Sequence, residues 1–130
     1  KTKTVTLKKI IEFERKMIIV KRKIIEFIYK MKSQNKIIAG IGAATKGNTL
    51  LNYCNLTSRH IDFILDKSKL KIGKYTPGSC IKIVDEDHYK NFHALIILPW
   101  NISNYLIKKF VKKTGKPYIS IQNIVKNLKK

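Results

Sequence analysis

Four short segments of this chain carry residue types suited to an anionic or sugar-like ligand. The first is Gly40-Ile41-Gly42-Ala43-Ala44-Thr45-Lys46-Gly47-Asn48-Thr49, directly after a strand-like run and opening a helical pattern. Small residues let a backbone turn sharply and approach a ligand, and the free N–H groups of a first helical turn favour phosphate. Gly40, Gly42, Ala43, Ala44 and Thr45 would supply that approach, with Lys46 as a counter-charge and Asn48 as a polar contact. A tight strand-to-helix turn with no ligand would use the same residues. Two familiar signatures are absent. Thr45 stands where the third glycine of G-x-G-x-x-G belongs, and Asn48 stands where a P-loop needs its phosphate lysine, which argues against triphosphate hydrolysis.

The second segment is Asp66, at the end of an apolar run and 19 residues beyond Gly47. An acid in that place accepts hydrogen bonds from a ribose in dinucleotide folds, and it would equally cap a loop or pair with a lysine. The third is Lys74-Tyr75-Thr76-Pro77-Gly78, a basic and aromatic loop that could fold over a ligand, with Lys74, Pro77 and Gly78 as its contacts, or be an ordinary turn. The fourth is Leu98-Pro99-Trp100-Asn101, where Trp100 offers a platform for a sugar or base, or a packing plug, and Asn101 a helix cap. Elsewhere the chemistry is thin. His60, His88 and His93 have no partners at triad or metal spacing, and Cys54 and Cys80 stand alone, so neither catalysis nor a metal is expected from them. Asp85, Glu86 and Asp87 sit together as the acidic start of a helix would place them.

The elements that must position these segments follow from periodicity. Over residues 5–31, apolar side chains recur at spacings of three, four and seven, which predicts a long amphipathic helix. Phe13, Ile19, Val20 and Phe27 widen its stripe beyond what one surface needs. A missing neighbouring domain, or a second copy in a homodimer, would cover the remainder. Short strands are predicted at 36–39, 61–65, 81–83, 94–98 and 117–121, with helices at 43–55, from 85, and at 102–113, and a short basic tail at the end. Alternating strands and helices with short connections predict an α/β fold, a mainly parallel sheet with helices on both faces. In such sheets ligands bind at the carboxyl ends of the strands, so the segments after 39, 65 and 98 should line one crevice.

A chain of 130 residues, 44% hydrophobic in separated runs, suits one globular domain. No run approaches the roughly 18 to 20 apolar residues of a membrane span, and the charged N-terminal pattern lacks a signal peptide's apolar segment. The expectation is a cytoplasmic protein with no membrane partner. The net charge of +20, from 28 basic and 8 acidic residues, would attract nucleic acid or phosphorylated small molecules. The lysines are spread along the whole chain rather than gathered in a patch, which argues against nucleic-acid binding as the main function.

Taken together, the run from Gly40 to Cys54, the run Ile61-Asp62-Phe63-Ile64-Leu65-Asp66-Lys67-Ser68, the loop Lys71 to Gly78 and the turn Leu98-Pro99-Trp100-Asn101 closely resemble the C-terminal domain of S-adenosylmethionine-dependent sugar C-methyltransferases. The resemblance covers roughly residues 36–125. It implies a Rossmann-like three-layer sandwich at 35–130, preceded by the helix at 1–34 packing on it. It also implies that the glycine-rich loop, Asp66, the Lys74 loop and the Trp100-Asn101 turn face a nucleotide-linked sugar such as a dTDP-sugar. Such enzymes carry a zinc-binding module and a middle domain that holds S-adenosylmethionine and the acid/base residues. This chain shows no counterpart of either, so the resemblance implies substrate positioning without catalysis here, no cofactor in this chain, and a methyltransferase domain as partner. Two other readings stay open: a dinucleotide-binding regulatory domain using Gly42 and Asp66, and a basic nucleic-acid-binding protein.

Overall fold

A computed structural model describes residues 2–42, 45–87, 91–98, 108 and 115–128, of which 2–5 and 45–47 are described as backbone only. The chain opens with helix α1 (Thr2–Ser33), followed by β1 (Ile38–Ile41), α2 (Thr45–Tyr53), β2 (Phe63–Asp66), β3 (Ile83–Asp85), β4 (Ala94–Ile97), β5 (Tyr118–Ser120) and α3 (Ile121–Leu128). The five strands form one sheet in the order β3-β2-β1-β4-β5, and every pairing is parallel. An α/β fold with a long N-terminal helix is therefore what the sequence builds.

The apolar content of the strands explains the layering. A parallel sheet is covered on both faces, so its strands read as unbroken apolar runs. β1 and β4 are buried at every position, and the two sets of alternate side chains form two clusters. On one face Ile38, Ile64, Ile83, Ala94 and Ile96 meet the inner sides of all three described helices, through Val20, Ile24 and Ile28 of α1, Leu50 and Leu51 of α2, and Ile121 and Ile124 of α3. On the other face Ala39, Ile41, Phe63, Leu65, Leu95 and Ile97 gather with Phe92. The Phe63 and Phe92 rings meet edge to face at 6.4 Å, and the Lys116 ammonium lies 3.7 Å from the Phe92 ring centre.

Asparagine ends two of the helices in the same way. Asn35 after α1 and Asn55 after α2 take left-handed backbone, at φ of 56° and 55°. Each lets the following N–H turn back onto the helix, Lys36 to the Met31 carbonyl at 3.1 Å and Leu56 to the Leu51 carbonyl at 2.9 Å. Asp62 then joins the amino edge of the sheet to the end of α1. One of its carboxylate oxygens accepts from the Ile38 N–H at 2.8 Å and from the Lys32 ammonium at 2.7 Å. Close by, His93 accepts the Ile37 N–H through Nδ1 at 2.9 Å and donates its own N–H to the Ile37 carbonyl at 2.8 Å.

Several expected boundaries shift for identifiable reasons. β1 begins two residues later than the apolar run suggests, because the His93 and Asp62 contacts at Ile37 and Ile38 set the edge of the sheet. Gly40 and Ile41 thus belong to the strand and not to the turn after it. Asp85 closes β3 opposite Asp66 instead of starting a helix, and Glu86 and Asp87 form the turn that follows. The basic tail is helix α3, capped by the Ser120 hydroxyl, which accepts the Asn123 N–H at 3.3 Å. Its Ile121, Ile124, Val125 and Leu128 repeat at helical spacing against the core. The helix expected at 102–113 lies outside the described residues apart from Lys108, which is helical.

The Asp62 junction generates a prediction. Asp62→Ala leaves the Ile38 N–H without its acceptor and removes a charge-assisted bond to Lys32, so stability should fall by about 2 kcal/mol, the ion-pair share being reduced by its partial exposure. Urea denaturation reads this directly, and an unchanged midpoint would contradict it.

Candidate functional site

The strand order sets where a ligand can enter. From β1 the chain moves outward to β2 and β3, then crosses back to place β4 on β1's other side. In α/β sheets a strand order that reverses in this way marks a switch point, here between the carboxyl ends of β1 and β4, as the place where ligands bind. Both ends are held in place by the ladder. Leu98 donates its N–H to the Ile41 carbonyl and Gly42 donates its own to the Leu65 carbonyl, each at 3.3 Å. Gly42 leaves β1 at φ 90°, a conformation that side chains other than glycine adopt only with strain, and α2 begins three residues later. Asn48, half-buried in the first turns of α2, keeps its side-chain oxygen beneath the surface.

Asp66 ends β2, beside β1 and on the same edge of the sheet. Its carboxylate accepts the Ser68 N–H at 2.9 Å, and its carbonyl accepts the Glu86 N–H at 3.1 Å. Asp85 faces it across the β2–β3 register and accepts the Asp87 N–H at 3.0 Å. Half of the chain's eight acidic residues, Asp66, Asp85, Glu86 and Asp87, thus collect at the carboxyl ends of β2 and β3 in a molecule of net charge +20. Among the described residues no three His, Cys, Asp or Glu side chains converge as metal ligands would.

Gly40 lies inside β1, where a Cβ would come within 2.6 Å of the Ile64 terminal methyl. Its smallness thus has a packing cause within the sheet. The Lys74 loop lies along the β3 edge of the sheet. Residues 73–76 run antiparallel to 81–83 along the β3 edge, with Gly73 N–H on the Ile83 carbonyl, Ile83 N–H on the Lys74 carbonyl and Thr76 N–H on the Ile81 carbonyl. Pro77 and Gly78 sit at the far end of this ribbon, against the last turn of α2. Asn52 donates its amide to the Pro77 carbonyl at 3.1 Å, and a Cβ on Gly78 would approach the Asn52 side-chain carbon at 3.0 Å. A helix of nine residues is about 13 Å long, so contact with its end puts Pro77 and Gly78 near the amino edge of the sheet. Pro77 and Gly78 thus lie away from the carboxyl ends of β1 and β2, where Gly42 and Asp66 sit. Lys74 is exposed beside the start of β3, between the two edges. Of the remaining expected contacts, Ala43, Ala44, Trp100 and Asn101 fall outside the described residues, and Thr45 and Lys46 are placed by their backbone alone, at the start of α2.

Comparison with known proteins agrees with this frame. The family described as the C-methyltransferase C-terminal domain matches residues 1–121. This chain belongs to that family. The C-methyltransferase NovU of Streptomyces niveus is 34% identical to it over 109 residues, which cover 78% of this chain and 26% of NovU. The chain thus spans about a quarter of the length of the curated relative it matches. The match includes α1, so the family's C-terminal domain comprises the long helix as well as the sheet.

Two features of this C-methyltransferase C-terminal domain went unrecognised in the sequence. The Asn52–Pro77 contact joins residues 25 apart, and nothing in the local pattern of either segment announces it. Buried Thr76 and Ser79, whose hydroxyls meet at 2.5 Å, stiffen the turn that carries Pro77 and Gly78. Thr76 also accepts the Ile81 N–H through its hydroxyl at 2.9 Å. A Thr-x-x-Ser pair around Pro-Gly was the available signal for an internally closed turn.

The thiols differ in a way that can be measured. Burial pushes the Cys54 thiol from its ordinary 9.0 up to about 11, partly offset by the nearby Lys21 charge. Cys80 is exposed. Alkylation of the native protein at mildly alkaline pH should label Cys80 and spare Cys54 until the chain unfolds, as peptide mass spectrometry would read. The folded state holds the Cys54 proton more tightly, so its stabilising effect is present below pH 9 and declines as pH rises from 9 toward about 11. Equal labelling of both thiols in the native state would contradict the burial.

Proposed function

We propose that this domain holds a nucleotide-linked sugar, such as a dTDP-sugar, for a C-methyltransferase whose methyl-donor site lies outside this chain. The observation that carries the reading is the switch point between β1 and β4. There a glycine-rich turn opens onto the start of α2, next to an acid at the end of β2. N–H groups of the first turn of α2 suit a diphosphate, with Lys46 as counter-charge. Asp66 suits the ribose or sugar hydroxyls, and Asn48 with Trp100 and Asn101 completes the proposed contacts. Family membership supports a methyltransferase context, and the printed activity of NovU supports transfer to carbon.

In the intact enzyme, S-adenosylmethionine would supply the methyl group from a neighbouring domain. The sugar carbon becomes nucleophilic when a base removes a proton beside a carbonyl, and the contribution of this chain is to hold that carbon in line. Two unpaired thiols suit a reducing, cytoplasmic setting. Among the described residues no helix is long and apolar enough to cross a membrane.

The strand order and Asp66 also favour a second reading, binding of a dinucleotide ribose, which the same experiment separates. Titration calorimetry with dTDP-glucose should show saturable binding that Asp66→Ala weakens at least about tenfold, or ~1.4 kcal/mol. Pro77→Ala, at the opposite edge of the sheet, should leave the affinity unchanged. Saturable NAD binding with none of the sugar nucleotide would replace the proposal by the dinucleotide reading.

A further inference from the structure

Helix α1 carries two apolar lines: one meets the domain from Met17 onward, with Ile10 and Phe13 before it exposed, and the other does not meet the domain at all. Met17, Val20, Ile24, Ile28 and Met31 are buried against the core. Leu7, Ile11, Ile18, Ile25 and Tyr29 form the other line, about a third of a turn away around the helix, and each of these five is exposed, from 41% at Ile11 to 77% at Tyr29. Isolated apolar residues on a surface need no partner, whereas a continuous line of this kind calls for a covering surface.

The spacing of the second line indicates what covers it. Its intervals are four, seven, seven and four residues, symmetric about Ile18. A line with that symmetry is complementary to itself when two helices pack antiparallel about a two-fold axis, the isologous arrangement in which residue i meets j and j meets i. With the axis at Ile18, Ile18 meets its own copy, Ile11 meets Ile25, and Leu7 meets Tyr29. The flanking charges largely agree with that register, which puts Glu14 beside the partner's Lys21 and Lys8 beside the partner's Glu26. Arg15 falls opposite the partner's Arg22, and Arg22 lies 4.0 Å from Glu26 on its own helix.

We infer that the exposed line of α1 is a homodimer interface, in which two copies of this chain pair their first helices antiparallel about Ile18. This inference is independent of the ligand proposed above. It also carries a distinctive electrostatic signature. Each copy has a net charge of +20, so the two chains repel at long range and added salt strengthens their association. An acidic protein docking on the same line would be weakened by salt instead.

Sedimentation equilibrium of the full chain over the micromolar range tests this. The expected mass rises with concentration and with salt from 15.1 kDa toward twice that value, and Ile18→Lys returns it to the single-chain mass with an unchanged circular dichroism spectrum. The register is read by oxidising cysteine variants in a Cys80→Ser background. Ile18→Cys should form disulfide-linked dimers by itself, and Leu7→Cys should cross-link with Tyr29→Cys and not with itself. A single-chain mass at every concentration and salt, or a dimer indifferent to Ile18→Lys, would overturn the inference. Cross-linking of Leu7→Cys with itself in preference to Tyr29→Cys would also overturn it, by showing parallel helices.

Discussion

The structure depends on the confinement of β1. That strand pairs with β2 on one side and β4 on the other, both of its faces are covered, and at Gly40 there is no room for a side chain beside Ile64. A parallel strand so enclosed cannot be joined to its neighbours by tight hairpins, so each connection must travel back along a face of the sheet. The amino ends of the strands are tied by Asp62 and His93, which hold Ile37 and Ile38 in position. At the carboxyl ends the Gly42 turn, Asp66 and Leu98 come together as a consequence of the strand order.

This division of the sheet into a tied edge and an open edge orders the candidate contacts. Gly42, Asn48 and Asp66 lie at or near the open edge. Pro77 and Gly78 are drawn to the tied edge by Asn52 at the end of α2, although their composition alone resembles that of a ligand loop. A diffuse charge of +20 places no comparable constraint on position, and the acidic residues at the ends of β2 and β3 show that the local charge at the open edge differs from the average.

The fold was legible where apolar periodicity was long or continuous. The run at 94–97 and the helix from residue 5 onward could be read directly, since an all-apolar run marks a doubly covered strand and spacings of three and four mark a helix. Short elements set by distant contacts were less legible. β1 starts late because His93 is hydrogen-bonded to Ile37, 56 residues away in sequence. The triplet Asp85-Glu86-Asp87 suits a helix start by its charges, yet Asp85 is drawn into β3 by pairing beside Asp66. The C-terminal lysines conceal an amphipathic helix whose apolar side is only four residues. The glycine-rich turn and Asp66 stand out in the sequence as candidate contacts because their chemistry is local. That Pro77 lies toward the amino edge follows only from the path of the chain along the edge of β3.

Whether a nucleotide-linked sugar occupies the open edge of the sheet, as proposed, can be read from backbone amide chemical shifts during titration with dTDP-glucose. Perturbations should concentrate at Gly42, Asn48, Asp66 and Leu98, with Asn52, Gly78 and Asp62 at the tied edge unmoved. Shifts centred on Asn52 and Gly78, or none at Gly42 and Asp66 under saturating ligand, would contradict it.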